Sequence, residues 1–128
     1  MNRRVLNKQM LAVWSIILLL GIALGRSEAQ GLVLVTLADP IDVRTLSGQI
    51  RDPGKSAVPN AHVELFDRTG KLLASTNSDA KGNFHFESFG KSEFKLKVSM
   101  QGFNPLQATL RIQKNAPESA VLTMLIAN

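Results

Sequence analysis

The sequence predicts an all-β domain, a two-sheet antiparallel sandwich of about seven strands, preceded by an N-terminal signal helix. Three observations predict it. Beyond residue 44, apolar and polar residues alternate with a period of two in one short run after another, which marks strands with one buried and one wet face and suits antiparallel pairing. Clusters of Gly, Pro, Asn and Asp punctuate those runs. No stretch beyond residue 30 sustains a 3.6-residue apolar period between helix caps. The 99 residues after position 29 are about enough to bury one core of this kind.

Residues 1–29 read as an address. Arg3, Arg4 and Lys8 form a basic start, and residues 10–25 are an apolar run of 16 residues interrupted by Ser15 and two glycines. A spanning helix needs about 20 apolar residues, so this run suits a secretory signal. Ser27 and Ala29 offer small side chains for cleavage before Gln30, while Ala23 and Gly25 allow an earlier cut. The competing expectation is an uncleaved anchor over residues 10–25 that holds the domain at the inner membrane. The localisation expected is therefore periplasmic or secreted, with the anchored form as the alternative.

Setting this segment aside changes the composition. It holds 17 of the 57 hydrophobic residues and four of the 15 basic ones, leaving 11 basic against 9 acidic side chains. The sequence pI near 10.0 thus belongs largely to the leader, and a nucleic-acid partner is not expected, since phosphate binding needs clustered cations on the folded part. The absence of cysteine excludes a lipid-modified cysteine, a disulfide scaffold, a thiol nucleophile and a Cys-ligated metal.

The elements follow in order. Residues 30–44 are an N-terminal extension or an extra strand; the apolar stretch 31–38 stops at Asp39-Pro40. Residues 45–128 carry the sandwich. Leu46, Gly48 and Ile50 alternate with Ser47 and Gln49 until the turn at Asp52-Pro53-Gly54-Lys55-Ser56. Ala61, Val63 and Leu65 alternate with His62 and Glu64, and Asp67-Arg68-Thr69-Gly70 turns the chain into a run over 71–76. After the polar stretch 77–83, Phe84 and Phe86 flank His85. Phe94, Leu96 and Val98 alternate with Lys95 and Lys97; beyond Gly102, Ala108, Leu110 and Ile112 alternate with Thr109 and Arg111. The last run, VLTMLIA, is apolar on both faces and is expected to be central or covered by residues 31–38.

The motifs along this part resemble the carboxypeptidase regulatory-like domain, a transthyretin-like sandwich. They are Asp52-Pro53-Gly54-Lys55-Ser56-Ala57-Val58-Pro59-Asn60-Ala61-His62-Val63, then Ser78-Asp79-Ala80-Lys81-Gly82-Asn83-Phe84-His85-Phe86, then Ser92-Glu93-Phe94-Lys95-Leu96-Lys97-Val98, closing with Gly102-Phe103. The chain departs from the family pattern with Lys55, Asn60 and Ser92 in place of Gly and Phe94 in place of Tyr. The resemblance implies a seven-stranded antiparallel Greek-key sandwich that serves as a folding and interaction module and carries no catalytic residues.

Candidate chemistry is sparse. His62 with Glu64 and His85 with Glu87 sit at i and i+2, so each pair shares a strand face, and two neighbouring strands could gather them as a metal site. The bland reading is two solvated faces, with His85 and Glu87 opposite Lys95 and Lys97 across a hairpin. Asp79 and Gly82 make an Asx-type turn and not a Ca²⁺ loop, which needs alternating acidic ligands. No nucleophile elbow is present, so neither catalytic residues nor a cofactor is expected. A sugar platform wants exposed Trp or Tyr; Trp14 lies in the leader and there is no Tyr. Among six Phe, only Phe66 and Phe89 fall outside core-like positions. Lys91, Lys95 and Lys97 form a basic stripe interrupted by Glu93.

The expectation is therefore a non-enzymatic exported module that contacts an envelope protein or surface polymer, with turns 52–60, 77–83 and 88–92 as variable surface. It touches a membrane only through the N-terminal segment if that stays uncleaved. The alternatives are a weak carbohydrate-binding module and an accessory subunit of a separately encoded envelope hydrolase.

Overall fold

The structure, a computed structural model, describes residues 32–87 and 89–128. The expected signal helix over residues 1–29, its cleavage position and Ser88 lie outside the described residues. The described residues form strands β1 (Val35–Thr36), β2 (Ile41–Val43), β3 (Ser47–Arg51), β4 (His62–Phe66), β5 (Leu72–Asn77), β6 (Asn83–His85), β7 (Glu93–Ser99), β8 (Leu106–Ile112) and β9 (Ala120–Thr123), with no helix among them. The larger sheet runs β1-β8-β7-β4-β5, with β2 also on β8; the smaller runs β6-β3-β9. The inward residues of both sheets make one core, as the alternating pattern requires.

Nine strands stand where about seven were expected, and the sheets are mixed. β1 and β2 run parallel to β8, and β9 runs parallel to β3. Alternation reports which face of a strand is wet, not the direction of its neighbour, and all three parallel pairings involve edge strands. The segment 30–44 supplies the two extra strands. Pro40, which has no N–H to give to a ladder, falls between them.

Two further expectations are corrected. The last run is neither central nor covered by residues 31–38: β9 is an edge of the smaller sheet, whereas β1 lies in the larger one. Its inward residues Ala120, Leu122 and Met124 are buried, but Val121 and Leu125 face solvent. The hairpin expected between β6 and β7 does not form either. β6 pairs with β3, placing His85 opposite Ser47, and the chain then crosses to the other sheet. The crossing lets Phe84 and Phe86 face the core from the smaller sheet while Phe94 fills it from the larger; all three are buried. Phe103 is only half-buried.

Close packing explains a small residue on β3. A Cβ on Gly48 would stand 2.7 Å from the Phe84 ring and 2.8 Å from the Ala120 carbonyl oxygen, so glycine lets the ring lie over the strand. A buried serine fixes the loop that leads into β4. Ser78 Oγ donates to the Val58 carbonyl at 2.7 Å and accepts the Ala61 N–H at 2.8 Å.

Three turns share one construction. In each, an Asp N–H donates to the carbonyl four residues on, and that residue's N–H donates back to the Asp Oδ1. The pairs are Asp52 with Ser56 (2.8 and 2.9 Å), Asp67 with Lys71 (2.9 and 3.0 Å), and Asp79 with Asn83 (2.9 and 2.9 Å). The third residue after each Asp takes a left-handed backbone: Lys55 at φ 69°, Gly70 at 92° and Gly82 at 77°. Glycine is expected there, and Lys55 is the exception.

Two predictions follow from this packing. Phe94→Ala empties the centre of the core and should cost about 3–5 kcal/mol in urea unfolding; a loss under about 1 kcal/mol would contradict its central place. At the turns the signs oppose. Lys55→Gly removes left-handed strain of about 1–2 kcal/mol against about 0.5–1 kcal/mol for the unfolded freedom of glycine, so it should stabilise. Gly82→Ala should destabilise, because its Cβ would also collide with the Ile50 carbonyl oxygen.

Candidate functional site

The solvent face of the larger sheet gathers five of the residues that the sequence singles out, His62, Glu64, Phe66, Lys95 and Lys97. Inward Val63 and Leu65 leave His62, Glu64 and Phe66 of β4 facing outward. Phe66 is half-buried, and its register partners are Lys95 on β7 and Leu72 on β5. The β4–β5 register shifts between Leu65 and Phe66, so the aromatic ring sits at a bulge. Lys95 in turn faces Thr109, and Lys97 lies between Glu64 and Gln107. Phe66, Gly70, Lys95, Lys97 and Gln107 help to line a shallow cavity of about 260 Å³. The result is an aromatic side chain beside two cations, with Glu64 opposite one of them and an amide and a hydroxyl on the same face. Such a face can take an anionic group and an apolar one together.

The other expected residues lie elsewhere. Lys91 is not part of a stripe with Lys95 and Lys97; it turns to the end of the sandwich and meets Asp67 Oδ2 at 3.3 Å. Phe89 leans on Phe94 with ring centroids 6.5 Å apart, so it caps an open end of the core while remaining 38% exposed. The two His-x-acid pairs do not converge. His62 and Glu64 belong to the larger sheet, and His85 and the neighbouring Glu87 follow the smaller one. Glu64 faces Lys97, and His62 Nδ1 lies 3.2 Å from Asn77 Oδ1. Among the described residues no three His, Asp or Glu side chains come together as a metal would need.

Asp67 is the ionisable group most changed by its surroundings, and the sequence marks it only as a turn residue. Its carboxyl is held well below the usual carboxylate range. The first cause is the Thr69 hydroxyl, which donates to Oδ1 at 2.6 Å; the Lys71 N–H, the Lys91 ammonium and the Thr69 N–H add to it, against a smaller opposing effect of burial. The signal that could have found it is the shared Asp spacing of the three turns. Next to it, Arg68 Nε and Glu93 Oε2 pair at 3.0 Å on the rim. Across the sheet, Arg111 pairs with Asp42 at 2.9 Å, which ties β2 to β8 and raises the guanidinium pKa.

Two mixed sheets around one core, with an aromatic and cationic patch on the outer face of the larger one, define a β-sandwich module. The chain belongs to the carboxypeptidase regulatory-like domain family, whose profile matches residues 45–125. No curated protein matches the chain in sequence. Three solved structures resemble it weakly. Catechol 1,2-dioxygenase from Pseudomonas arvilla C-1 has a TM-score of 0.48 at 12% identity, over 91% of this chain and 70% of that one. A 3-chlorocatechol 1,2-dioxygenase from Rhodococcus opacus 1CP scores 0.45 at 11% identity, and a chlorocatechol 1,2-dioxygenase from Pseudomonas putida scores 0.42 at 11%; each match covers 77% of this chain and 67% of the other. Likeness at this level carries nothing about chemistry.

The Asp67 geometry makes an acid-dependent prediction. A carboxyl lowered on folding stabilises the fold fully above its unfolded pKa of about 3.9, and that contribution fades as pH falls below it toward the folded value. Asp67→Asn should therefore lower the urea midpoint near neutral pH, and the gap to the unsubstituted chain should shrink on acidification to about pH 3. A gap that stays constant with pH would show that the charge contributes nothing.

Proposed function

We propose that this chain is an exported, non-enzymatic module of the cell envelope that works by contact, and that the solvent face of its larger sheet is the contact surface. The observation that carries this reading is the placement of Phe66, in register with Lys95 and Leu72 at a bulge. An outward aromatic beside an apolar side chain is the kind of anchor that interface centres use, and Lys95 supplies a cation at its edge for a charged partner. The basic start and 16-residue apolar run near the N-terminus support export. The partner favoured by this chemistry is an envelope protein or surface polymer presenting carboxylate or phosphate groups.

Five of the described carboxylates serve the fold, as suits such a module. Asp52, Asp67 and Asp79 hold turns, and Glu93 and Asp42 hold arginines. The carbohydrate reading has two aromatic candidates, Phe66, which is half-buried, and Phe89, which is exposed on one side while it leans on Phe94.

A photo-crosslinker tests the reading in intact cells. Placed at Thr109 beside Lys95, it should capture one dominant envelope component, and placed at Asn83 on the opposite sheet it should not. Combining Phe66→Ala with Lys95→Glu should abolish the capture while the purified domain stays folded. Equal capture from both faces, or turnover of a substrate by the purified chain, would overturn the proposal.

A further inference from the structure

One end of the sandwich is apolar in a way the core does not require. Leu32, Val33 and Leu34 are exposed by 50–64%, and near the other end of the described chain Leu125 and Ile126 are exposed by 46% and 61%. These two stretches meet at one loop. The Val33 N–H donates to Asn104 Oδ1 at 3.0 Å, and the Asn104 N–H donates to the Leu125 carbonyl at 2.8 Å. Ile126 bridges Phe103, and Ala127 N–H reaches the Gly102 carbonyl at 3.0 Å. Residues 32–38, 98–110 and 119–128, which carry the apolar part of this end, contain no Asp, Glu, Lys or Arg except Asp39 just beyond the first stretch; the charges at the same end stand on the turns that follow Arg51 and Ser78. At the far end of β8 the composition reverses, with Arg111 and Lys114 on the chain that leaves the strand.

We propose that this apolar tip docks on a lipid bilayer surface. The chain outside the described residues says what covers it. That segment ends at Gly31, the residue before Leu32 in the sequence, and contains the apolar run 10–25 behind three basic residues. Only six residues, 26–31, separate the run from Leu32. Fully extended, they hold the tip within roughly 25 Å of the end of the run. While residues 10–25 are engaged with a membrane, that reach lets Leu32, Val33, Leu125 and Ile126 meet its surface. Apolar side chains at such a tip can sink about 5–10 Å into the headgroup boundary, with the charged turns beside them left at the headgroups. Two stretches far apart in sequence dock together, so the contact orients the whole sandwich and does more than tether it. The inference rests on the anchored form of the export reading, in which residues 10–25 stay attached and hold the domain at a membrane.

The test uses the full chain, which has no cysteine of its own, with vesicles of phosphatidylethanolamine and phosphatidylglycerol. An environment-sensitive fluorophore is attached at Ile126→Cys, or at Leu125→Cys should the first variant fail to fold, and at Lys114→Cys as the far-end control. Co-flotation with vesicles reports the membrane segment separately. The expected result is co-flotation, with the residue 126 label losing most of its emission to lipids carrying a shallow nitroxide and the residue 114 label losing little. Co-flotation with equal quenching at both positions would overturn the docking proposal and leave the export reading standing. Failure to co-float would overturn the docking proposal together with the anchored form, and leave export with cleavage standing. A residue 126 label already shielded without vesicles, in a species that elutes as a dimer, would also overturn it by assigning the tip to a second copy.

Discussion

Register in this domain depends on a carboxylate that satisfies the backbone of its own turn. A slip of one residue would carry every inward side chain of a strand to the solvent face, and the Asp-anchored turns oppose such a slip locally. The Asp67 turn joins β4 to β5 and sets which residues face each other there, down to Leu65 opposite Ala74. The Asp79 turn leads into β6, and its Gly82 carbonyl accepts the Ile50 N–H at 2.7 Å, so one turn connects the hairpin chemistry to the smaller sheet. The Asp52 turn starts the return from β3, after which Val58 N–H bonds the Ile50 carbonyl at 2.9 Å. Each is a short-range device with a long-range result, because the core residues keep their side only while the turns keep their length.

The same constraint explains which parts of the fold could be read from the sequence. The inward sets Val63 and Leu65, Phe94, Leu96 and Val98, and Leu106, Ala108 and Leu110 are buried, and all obey the alternation. Alternation carries no information about neighbours. It could not show that β6 pairs with β3 and not β7, or that β9 lies parallel at an edge. Those outcomes depend on where a crossing chain lands in space. The sequence did reveal the turn positions, since Asp, Gly and Asn report backbone conformation directly. Lys55 at φ 69° shows that a turn can impose its geometry on a residue that disfavours it.

The candidate surface was legible residue by residue but not as a surface. Phe66 stood out by breaking phase, and Lys95 and Lys97 by alternating with core residues. Their adjacency needs the β4–β7 pairing, which joins stretches about 30 residues apart by the register of Phe66 with Lys95. Lys91 looked equivalent to them in sequence, yet it lies before β7 begins and answers to Asp67 instead. The apolar tip carried a quieter sign: long stretches without a charged side chain, unremarkable separately and informative once folded together.

Asn104 has a topological consequence. Its side chain holds the backbone of Val33 and its own N–H holds that of Leu125, so the way into the sandwich and the way out of it are separated by a single residue. In connectivity the domain is close to a closed ring. A unit of that shape can interrupt a surface loop of another protein without stretching it, or be reopened at one of its Asp-anchored turns after its ends are joined, and its strands would keep their neighbours in either arrangement.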